Sequence, residues 1–342
     1  MDSFLKLPDE RKKLAYEQVS EKMGIPASYV EKDLWVCWVL NVLFTSPELS
    51  PHLTFRGGTS LSKAFGMIAR FSEDIDLAID RSWLGITEDN DPETAPNPSQ
   101  LERRQKNLRQ QARQKVADEI EPPLREALSG LDLETGSWSL ELSDDENQLE
   151  SARDPYCVFL NYPCLTGVQQ TDYIHSRVKI ELSAKAEGRP DEKVQISSFV
   201  AEHFPQVFNN PSFPVKVLSP ARTFWEKAFI IHEENTAPES RTQKARLARH
   251  YYDLSCLAKS GKVTLEDDLF EEVKAHRNIH FRQSWVDYET ITPEDLQIAP
   301  LSDEMLAQWQ SDYKLMETMI YGDFPTLASA ITMISNFIKT AR

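Results

Sequence analysis

Residues 55–63, FRGGTSLSK, and residues 72–77, SEDIDL, carry the main information about the fold of this chain. The first stretch joins a short strand to a glycine turn and a helix start, and the second places Asp74 and Asp76 one residue apart. Free backbone N–H groups at a helix start attract anions, so the glycine turn can hold a phosphate chain. Alternate strand residues point to one side, so the two aspartates can hold Mg²⁺ together. The sequence therefore predicts that a nucleotide and a metal ion meet at one place.

The composition indicates an ordinary globular protein, with 40% hydrophobic residues and 11 glycines among 342 residues. The most apolar run, residues 35–44, is too short to span a bilayer, and the N-terminus lacks the pattern of a signal peptide. The four cysteines lie far apart without a CxxC pair, which favours reduced thiols over a disulfide framework or a metal cluster. We therefore expect a cytoplasmic protein with no membrane segment.

The net charge of −16 restricts how the chain can bind RNA, because proteins that bind long nucleic acids usually carry a basic excess. Any RNA contact must be local, and a charged helical stretch at residues 100–128 is one candidate surface. Its basic residues are Arg103, Arg104, Lys106, Arg109, Arg113 and Lys115. A solvated helix face is the commoner explanation of such a run. The acidic body would equally suit a basic partner protein.

Apolar periodicity predicts the elements around the glycine turn. Residues 8–45 have helical spacing, and Asp33 is expected to be an exposed or capping carboxylate there. Residues 52–56 and 74–79 read as strands. The fifteen residues from Thr59 to Glu73 leave room for a helix of three turns before the second strand.

Within that predicted helix, Lys63 lies off the apolar face and is expected to reach freely into the site, while Arg70 and Phe71 close the helix. Later strands are predicted at residues 138–142, 157–162 and 177–183. A proline-bearing connection near residues 204–220 then leads to helices, which start at residues 219–220 and continue over 246–257, 265–277, 303–321 and 325–339. This order predicts an α+β fold, with a mixed-sheet lobe followed by a helical lobe.

Phosphoryl transfer with two metal ions requires carboxylates for Mg²⁺ and cations that balance the triphosphate charge. Glu181, on a neighbouring predicted strand, is the best candidate for a third carboxylate beside Asp74 and Asp76. The candidate phosphate clamps are Lys63, Lys179 and Lys227.

Other nucleotide and metal motifs do not fit the sequence. A P-loop needs Gly before its Lys and Ser or Thr after it, whereas Lys63 follows Ser62 and precedes Ala64. A dinucleotide fold lacks its third spaced glycine and its βαβ continuation. The few histidines form no HExxH pattern, so a zinc hydrolase is not indicated.

Several stretches together resemble the AbiEii/AbiGii nucleotidyltransferase toxin family, which belongs to the polymerase-beta-like nucleotidyltransferase superfamily. The matching stretches are YVEKDLWVCWVL at 29–40, FRGGTSLSKAFGMIARFSEDIDLAI at 55–79, SPARTFWEKA at 219–228, RHYYDLSCL at 249–257 and WQSDYKLM at 309–316. The resemblance covers most of the chain in the same order. It implies a nucleotidyltransferase lobe at residues 1–217, with N-terminal helices and a charged helical insertion near 100–128, and a helical C-terminal lobe at residues 218–342.

The resemblance also assigns the nucleotide-binding residues. In such a family member, Gly57, Gly58, Thr59 and Ser60 would cradle the triphosphate, with Lys63 nearby.

By the same resemblance, Asp74 and Asp76 would hold the catalytic metal ions, and Lys227 and Asp253 would be later site residues. The family usually shows RDxxDL around the last of these, whereas here His250 replaces the acidic residue. A neutral histidine cannot supply the same charge.

The resemblance implies transfer of a nucleoside monophosphate from an NTP to an acceptor, with Mg²⁺ as cofactor and pyrophosphate released. In relatives the acceptor is commonly the 3′ end of tRNA, and an antitoxin protein silences the toxin. Two alternatives remain open from the residues. The same chemistry could act on a protein or a small molecule, or the pocket could serve a non-catalytic protein that only binds a partner, although such a protein has no need of paired metal ligands.

Overall fold

The computed structural model describes residues 1–134, 136–142, 155–167, 176–241 and 244–341. Its contacts divide the chain into two units. The first unit contains residues 1–64 and 72–217, and the second contains residues 65–71 and 218–342. Within the described residues, no helix is both long enough and apolar enough to cross a membrane.

A seven-stranded mixed sheet forms the centre of the first unit, with strands in the order β3-β4-β5-β2-β1-β7-β6. The strands are β1 (Leu53–Arg56), β2 (Ile75–Ile79), β3 (Ser139–Leu142), β4 (Tyr156–Asn161), β5 (Arg177–Ser183), β6 (Asp191–Ser197) and β7 (Ser212–Leu218). β2 runs parallel to β5 and antiparallel to β1, and β4 runs antiparallel to both β3 and β5. The site sequences therefore lie on the central strands of the sheet.

Among the described residues, seven α-helices of this unit precede, follow or separate its strands in the sequence. They are α1 (Asp2–Leu5), α2 (Asp9–Met23), α3 (Ala27–Thr45), α4 (Gly57–Lys63), α5 (Pro98–Lys115), α6 (Glu121–Ser129) and α7 (Phe199–His203). α3 is almost entirely buried, because Val30, Leu34 and Trp38 continue an apolar stripe that packs inside the unit. Burial inside the unit accounts for the apolar composition of this helix.

The second unit is helical. Its helices are α8 (Pro220–Asn235), α9 (Arg249–Lys259), α10 (Asp267–His280), α11 (Asp303–Lys314) and α12 (Leu327–Thr340). α8 is its central helix and packs against α9 and α10, with Trp225 in edge contact with Phe270 at 5.0 Å between ring centroids. The buried Asn235 amide donates to the carbonyls of Gln297 and Ile298. The sheet followed by helices confirms the predicted α+β class.

The segment after the glycine turn differs from the prediction. α4 has seven residues and ends at Lys63, so the predicted three-turn helix is wrong. Gly66 adopts a left-handed backbone with φ of +59°, which stops a helix. Arg70 does not close a helix but forms a β-bridge with Ile320 in the second unit. Local spacing could not show that tertiary contacts would recruit residues 65–71.

The sheet also contains strands that were not predicted, β6 and β7. β7 lies within residues 204–220, which the prolines led us to interpret as a connection. Pro214 is exposed, while its neighbours Phe213 and Val215 are buried. The alternation of buried and exposed residues thus identifies a strand, and the proline lies near its beginning, before the pair that Val217 forms with Phe55 on β1.

Lys63 forms a buried ion pair inside the first unit, so the expectation that it reaches freely into a site is wrong. Its ammonium lies 2.7 Å from Asp33 Oδ1, with the two side chains only 6% and 4% exposed. The ammonium also lies 4.0 Å from the ring centroid of Phe199, whose N–H donates to Asp33 Oδ2 at 2.7 Å. Asp33 thus accepts the N–H of the first residue of α7, whose N-cap is Ser198, and the expectation that Asp33 is exposed is wrong. Burial opposes the lysine charge, yet Asp33 outweighs it and raises the pKa of Lys63.

Replacing Lys63 by Met should therefore weaken the fold. The change leaves Asp33 buried without its cation, so we expect a loss of about 3–5 kcal/mol in the free energy of unfolding, measured with urea. The double variant Asp33→Asn/Lys63→Met should recover part of that loss, because neither residue then carries an unpaired charge. A Lys63→Met protein of normal stability that binds NTP weakly would instead assign Lys63 to the nucleotide.

Candidate functional site

A close approach between the glycine turn and an aspartate defines the site in the first unit. Gly57 has φ of +80° and follows β1 directly, where Arg56 lies opposite Asp76 in the strand register. A Cβ atom at Gly57 would lie 2.0 Å from Asp76 Oδ2, which is far inside any nonbonded contact. Only glycine therefore fits at the turn, and it brings the backbone against the carboxylate.

The predicted third carboxylate lies beside the first two. β2 and β5 pair in parallel with Asp76 opposite Glu181, and Asp74 precedes β2. Burial and the nearby Glu181 carboxylate raise the pKa of Asp76 to about 7, although Arg56 acts in the opposite direction. Two carboxylates that crowd each other favour a bound cation or a shared proton. The arrangement can therefore hold a divalent metal ion, and the catalytic roles of these residues stay predictions.

The hydroxyls after the glycines point into the protein. Thr59 Oγ1 donates to the carbonyl of Asp74 at 2.5 Å, and Ser60 Oγ donates to the carbonyl of Gly57 at 2.9 Å. Both side chains, like Gly58, are buried. Thr59 therefore ties the turn to the start of β2, and any contact of these residues with a phosphate would be made by their backbone N–H groups. Their nucleotide-binding role stays a prediction.

Of the candidate clamps Lys63 and Lys179, only Lys179 pairs with one of these carboxylates. Lys63 points to Asp33, whereas Lys179 forms an ion pair with Glu181. Sequence reasoning missed Arg56, whose charge acts on Asp76. Arg56 follows the apolar Phe55, and Asp76 precedes the apolar Leu77, so the alternation could have indicated that both lie on the polar face of the sheet.

The basic stretch is partly used within the fold. Arg104 donates to the carbonyl of Asp91 at 2.7 Å, and Lys115 forms an ion pair with Glu119. Arg103 and Lys106 are exposed on α5. This helix therefore has fewer cations directed to solvent than the sequence suggested.

Lys227 and Asp253 lie together in the second unit. Lys227 Nζ is 2.9 Å from Asp253 Oδ2, and Arg70 donates to both oxygens of the same carboxylate at 2.7 and 2.9 Å. His250 Nδ1 lies 3.3 Å from Lys227 Nζ. All four side chains are buried, so Lys227 and Asp253 do not form an exposed pair on the surfaces of their helices. Arg70 is the member that sequence reasoning missed, because it enters from residues 65–71.

The electrostatics of this cluster follow from burial and from its two cations. Burial alone would raise the pKa of Asp253, but Arg70 and Lys227 lower it below the usual range, so the carboxylate stays ionised. Burial lowers the pKa of Lys227, and Asp253 opposes that shift. Burial, followed by the charges of Lys227 and Arg249, lowers the pKa of His250 well below its ordinary value. His250 is therefore neutral, which avoids a third positive charge beside one carboxylate.

Gly57→Ala tests the close approach, with Gly85→Ala as the matched control. Gly85 has a similar φ of +71°, and none of the described atoms lies within 4 Å of its Cβ position. We expect Gly85→Ala to lose about 1 kcal/mol of unfolding free energy through backbone strain. Gly57→Ala should lose about 1–3 kcal/mol more through the clash with Asp76. Equal losses in urea unfolding would contradict the contact.

His250→Gln tests the neutral histidine through the pH dependence of stability. The unfolded chain takes up a proton near pH 6.5 that the folded chain does not, so stability falls as pH falls. Between pH 7.5 and 5.5 the wild type should lose about 1 kcal/mol that His250→Gln retains. Unfolding free energies at the two pH values give the measurement, and an identical pH slope in both proteins would show that His250 is protonated in the folded state.

Comparisons relate the chain to known proteins. A family model described as nucleotidyl transferase AbiEii toxin, of type IV toxin–antitoxin systems, matches residues 38–333. Among curated proteins, none matches the chain. Among solved structures, MenT4, a nucleotidyltransferase toxin from Mycobacterium tuberculosis H37Rv, is similar over 96% of this chain and 99% of that chain, with 15% identity and a TM-score of 0.43. That structural likeness is too weak to support an argument.

The family match decides the assignment because it covers most of the chain. Membership means that a nucleotide is a substrate and implies an antitoxin as partner. The chain is an enzyme, a nucleotidyltransferase, and it belongs to the AbiEii toxin family of type IV toxin–antitoxin systems.

Proposed function

We propose that this enzyme transfers a nucleoside monophosphate from an NTP to the 3′ end of a tRNA, with Mg²⁺ at Asp74 and Asp76 and with Glu181 as the third carboxylate. The observation that carries the proposal is the pairing of Asp76 with Glu181 directly beside the Gly57 turn. This arrangement supports a reaction in which the acidic metal ligands and the backbone of the glycine turn both contact the triphosphate of the NTP. We place the reaction in the cytoplasm, as the sequence suggests.

The donor set suits Mg²⁺. Carboxylate oxygens are the hard ligands that this ion prefers, and Asp76 and Glu181 are close enough to affect each other's charge. Bound Mg²⁺ would balance the charge of the triphosphate and polarise its phosphoryl oxygens. Charge crowding at Asp76 supports the fit, because a cation would relieve the repulsion between the two carboxylates.

The side chains around the carboxylates have proposed roles of their own. The Gly57–Gly58 backbone would approach the triphosphate, since a residue with a Cβ at Gly57 would collide with Asp76. Arg56 and Lys179 would add positive charge beside the acids. In the second unit, the buried Asp253 carboxylate, which also pairs with Arg70, holds the Lys227 ammonium in place by an ion pair. A site role for Lys227 and Asp253 rests on the family resemblance.

Chemistry and the family resemblance both point to an RNA 3′ end as the acceptor. A ribose 3′-hydroxyl is a suitable nucleophile for a metal-assisted carboxylate site, and tRNA is the acceptor that the family resemblance suggests. The net charge of −16 favours contact with a short RNA end over a long duplex. We further propose that the antitoxin silences this activity.

The decisive test offers each α-labelled NTP with total tRNA, with mixed protein and with Mg²⁺ to the purified chain. We expect label in the tRNA, no transfer with EDTA, and a loss of about 10²-fold or more in Asp76→Asn, as when a charge-stabilising group is removed. Asp89→Asn, at an exposed aspartate outside the site, serves as the matched control and should keep wild-type activity.

Each other result has a defined meaning. Label in protein but not in tRNA would replace the RNA acceptor with a protein acceptor. Full transfer by Asp76→Asn would remove that residue from the catalytic site. Absence of label in every pool with all four NTPs would overturn the proposed reaction.

A further inference from the structure

The face of the sheet that carries the acids continues onto β4, where it presents an aromatic side chain. Opposite residues of paired strands share a face, so Asp76, Glu181 and Cys157 form one row across β2, β5 and β4. In the next row Phe159 lies between Lys179 on β5 and the exposed Glu141 on β3, which flanks the ring on the side away from the acids. The residues between these rows, such as Ile180, are fully buried on the other face. The row of Phe159 therefore borders the acids on the partly exposed side of the sheet.

Phe159 differs from its neighbours on this face because it is aromatic. Among the described residues of β3, β4 and β5, it is the only aromatic side chain on the partly exposed side, and it is half-buried. The exposed Arg177 places its guanidinium carbon 4.6 Å from the ring centroid. Lys179, paired with Glu181, adds a second cation in the same row. An aromatic ring with an arginine stacked on it and a lysine alongside is the combination that binds single-stranded nucleic acid, because bases stack on rings and guanidinium planes.

The order of the strands tells which nucleotide this surface faces. Gly57 follows β1, the acids lie on β2 and β5, and Phe159 lies on β4. In phosphoryl transfer the attacking and leaving oxygens are roughly in line. If the triphosphate lies at Gly57, the acceptor hydroxyl would therefore approach from the side of the acids that faces away from Gly57. That side is the one occupied by β4. A diagonal neighbour on adjacent strands is about 7–8 Å away, so Phe159 lies within the length of one nucleotide from Glu181.

We propose that Phe159 and Arg177, with Lys179 beside them, form a stacking platform for the terminal nucleobase of the RNA acceptor. The proposal rests on the proposed function, since it assumes that the acceptor is RNA. The platform binds the base by stacking and its phosphate by charge, and it thereby directs the 3′-hydroxyl towards the acids. Stacking does not read the edge of a base, so the platform would tolerate different terminal bases.

Phe159→Leu is the informative variant because it keeps an apolar side chain on the strand but removes the π face. Phe159→Tyr is the matched control that restores stacking. The probes are a fluorescent single-stranded RNA of eight nucleotides and the same RNA with an abasic 3′ terminus. Anisotropy gives the Kd for RNA without NTP, transfer kinetics give separate KM values for RNA and NTP, and thermal unfolding verifies the fold.

We expect Phe159→Leu to raise the Kd and the KM for RNA about five-fold or more while the KM for NTP stays unchanged. Phe159→Tyr should match the wild type, and the abasic RNA should bind both proteins equally. A rise in the KM for NTP alone would assign the ring to the incoming nucleotide and overturn the proposal. A folded Phe159→Leu protein with unchanged RNA parameters would show that the ring only supports Arg177, and would overturn the platform while leaving the proposed function intact. A wild type that labels no RNA would overturn the acceptor and the platform together.

Discussion

The approach of Asp76 to the backbone of Gly57 is the contact on which the site in the first unit depends. Because Gly57 adopts a positive φ angle directly after β1, the chain turns at once into α4, and the missing Cβ leaves room for a carboxylate at the turn. The antiparallel pairing of β1 with β2 fixes which residue of β2 arrives there. One strand pair thus places the backbone that we propose binds phosphate beside the carboxylate that we propose binds the metal ion.

A second consequence of this contact is electrostatic. The parallel pairing of β2 with β5 brings Glu181 opposite the same aspartate, so negative charges gather on a partly buried surface of a chain that is already acidic. Burial and then this repulsion both disfavour the ionised form of Asp76 and raise its pKa, which costs stability in the absence of a cation. Arg56 and Lys179 offset only part of it. Functional sites commonly contain groups whose pKa is shifted by burial and by neighbouring charges, and a bound cation would relieve the repulsion here.

The sequence predicted the elements whose pattern is local and missed those that depend on tertiary contacts. β5 was predicted with its observed bounds because Val178, Ile180 and Leu182 alternate with polar residues, and the same alternation identified Glu181. The three-turn helix after the glycines failed because residues 65–71 pack with the second unit. The partner of Lys63 could not be predicted, since Asp33 is thirty residues away and meets it only through helix packing. The division of function between residues 1–217 and 218–342 stays a prediction.

The same distinction applies to the cluster around Asp253. Its carboxylate is fully buried, and the two cations that hold it ionised come from separate parts of the chain. An acidic residue at position 250 would face the Lys227 ammonium, so it would compete with Asp253 for that cation. The neutral His250 instead leaves Asp253 as the carboxylate that orients Lys227, and Arg70 supplies the second positive charge that keeps this carboxylate ionised. The departure from the usual family motif is therefore compatible with an ordered lysine, because the charge balance of the cluster is completed by an arginine that the motif does not contain.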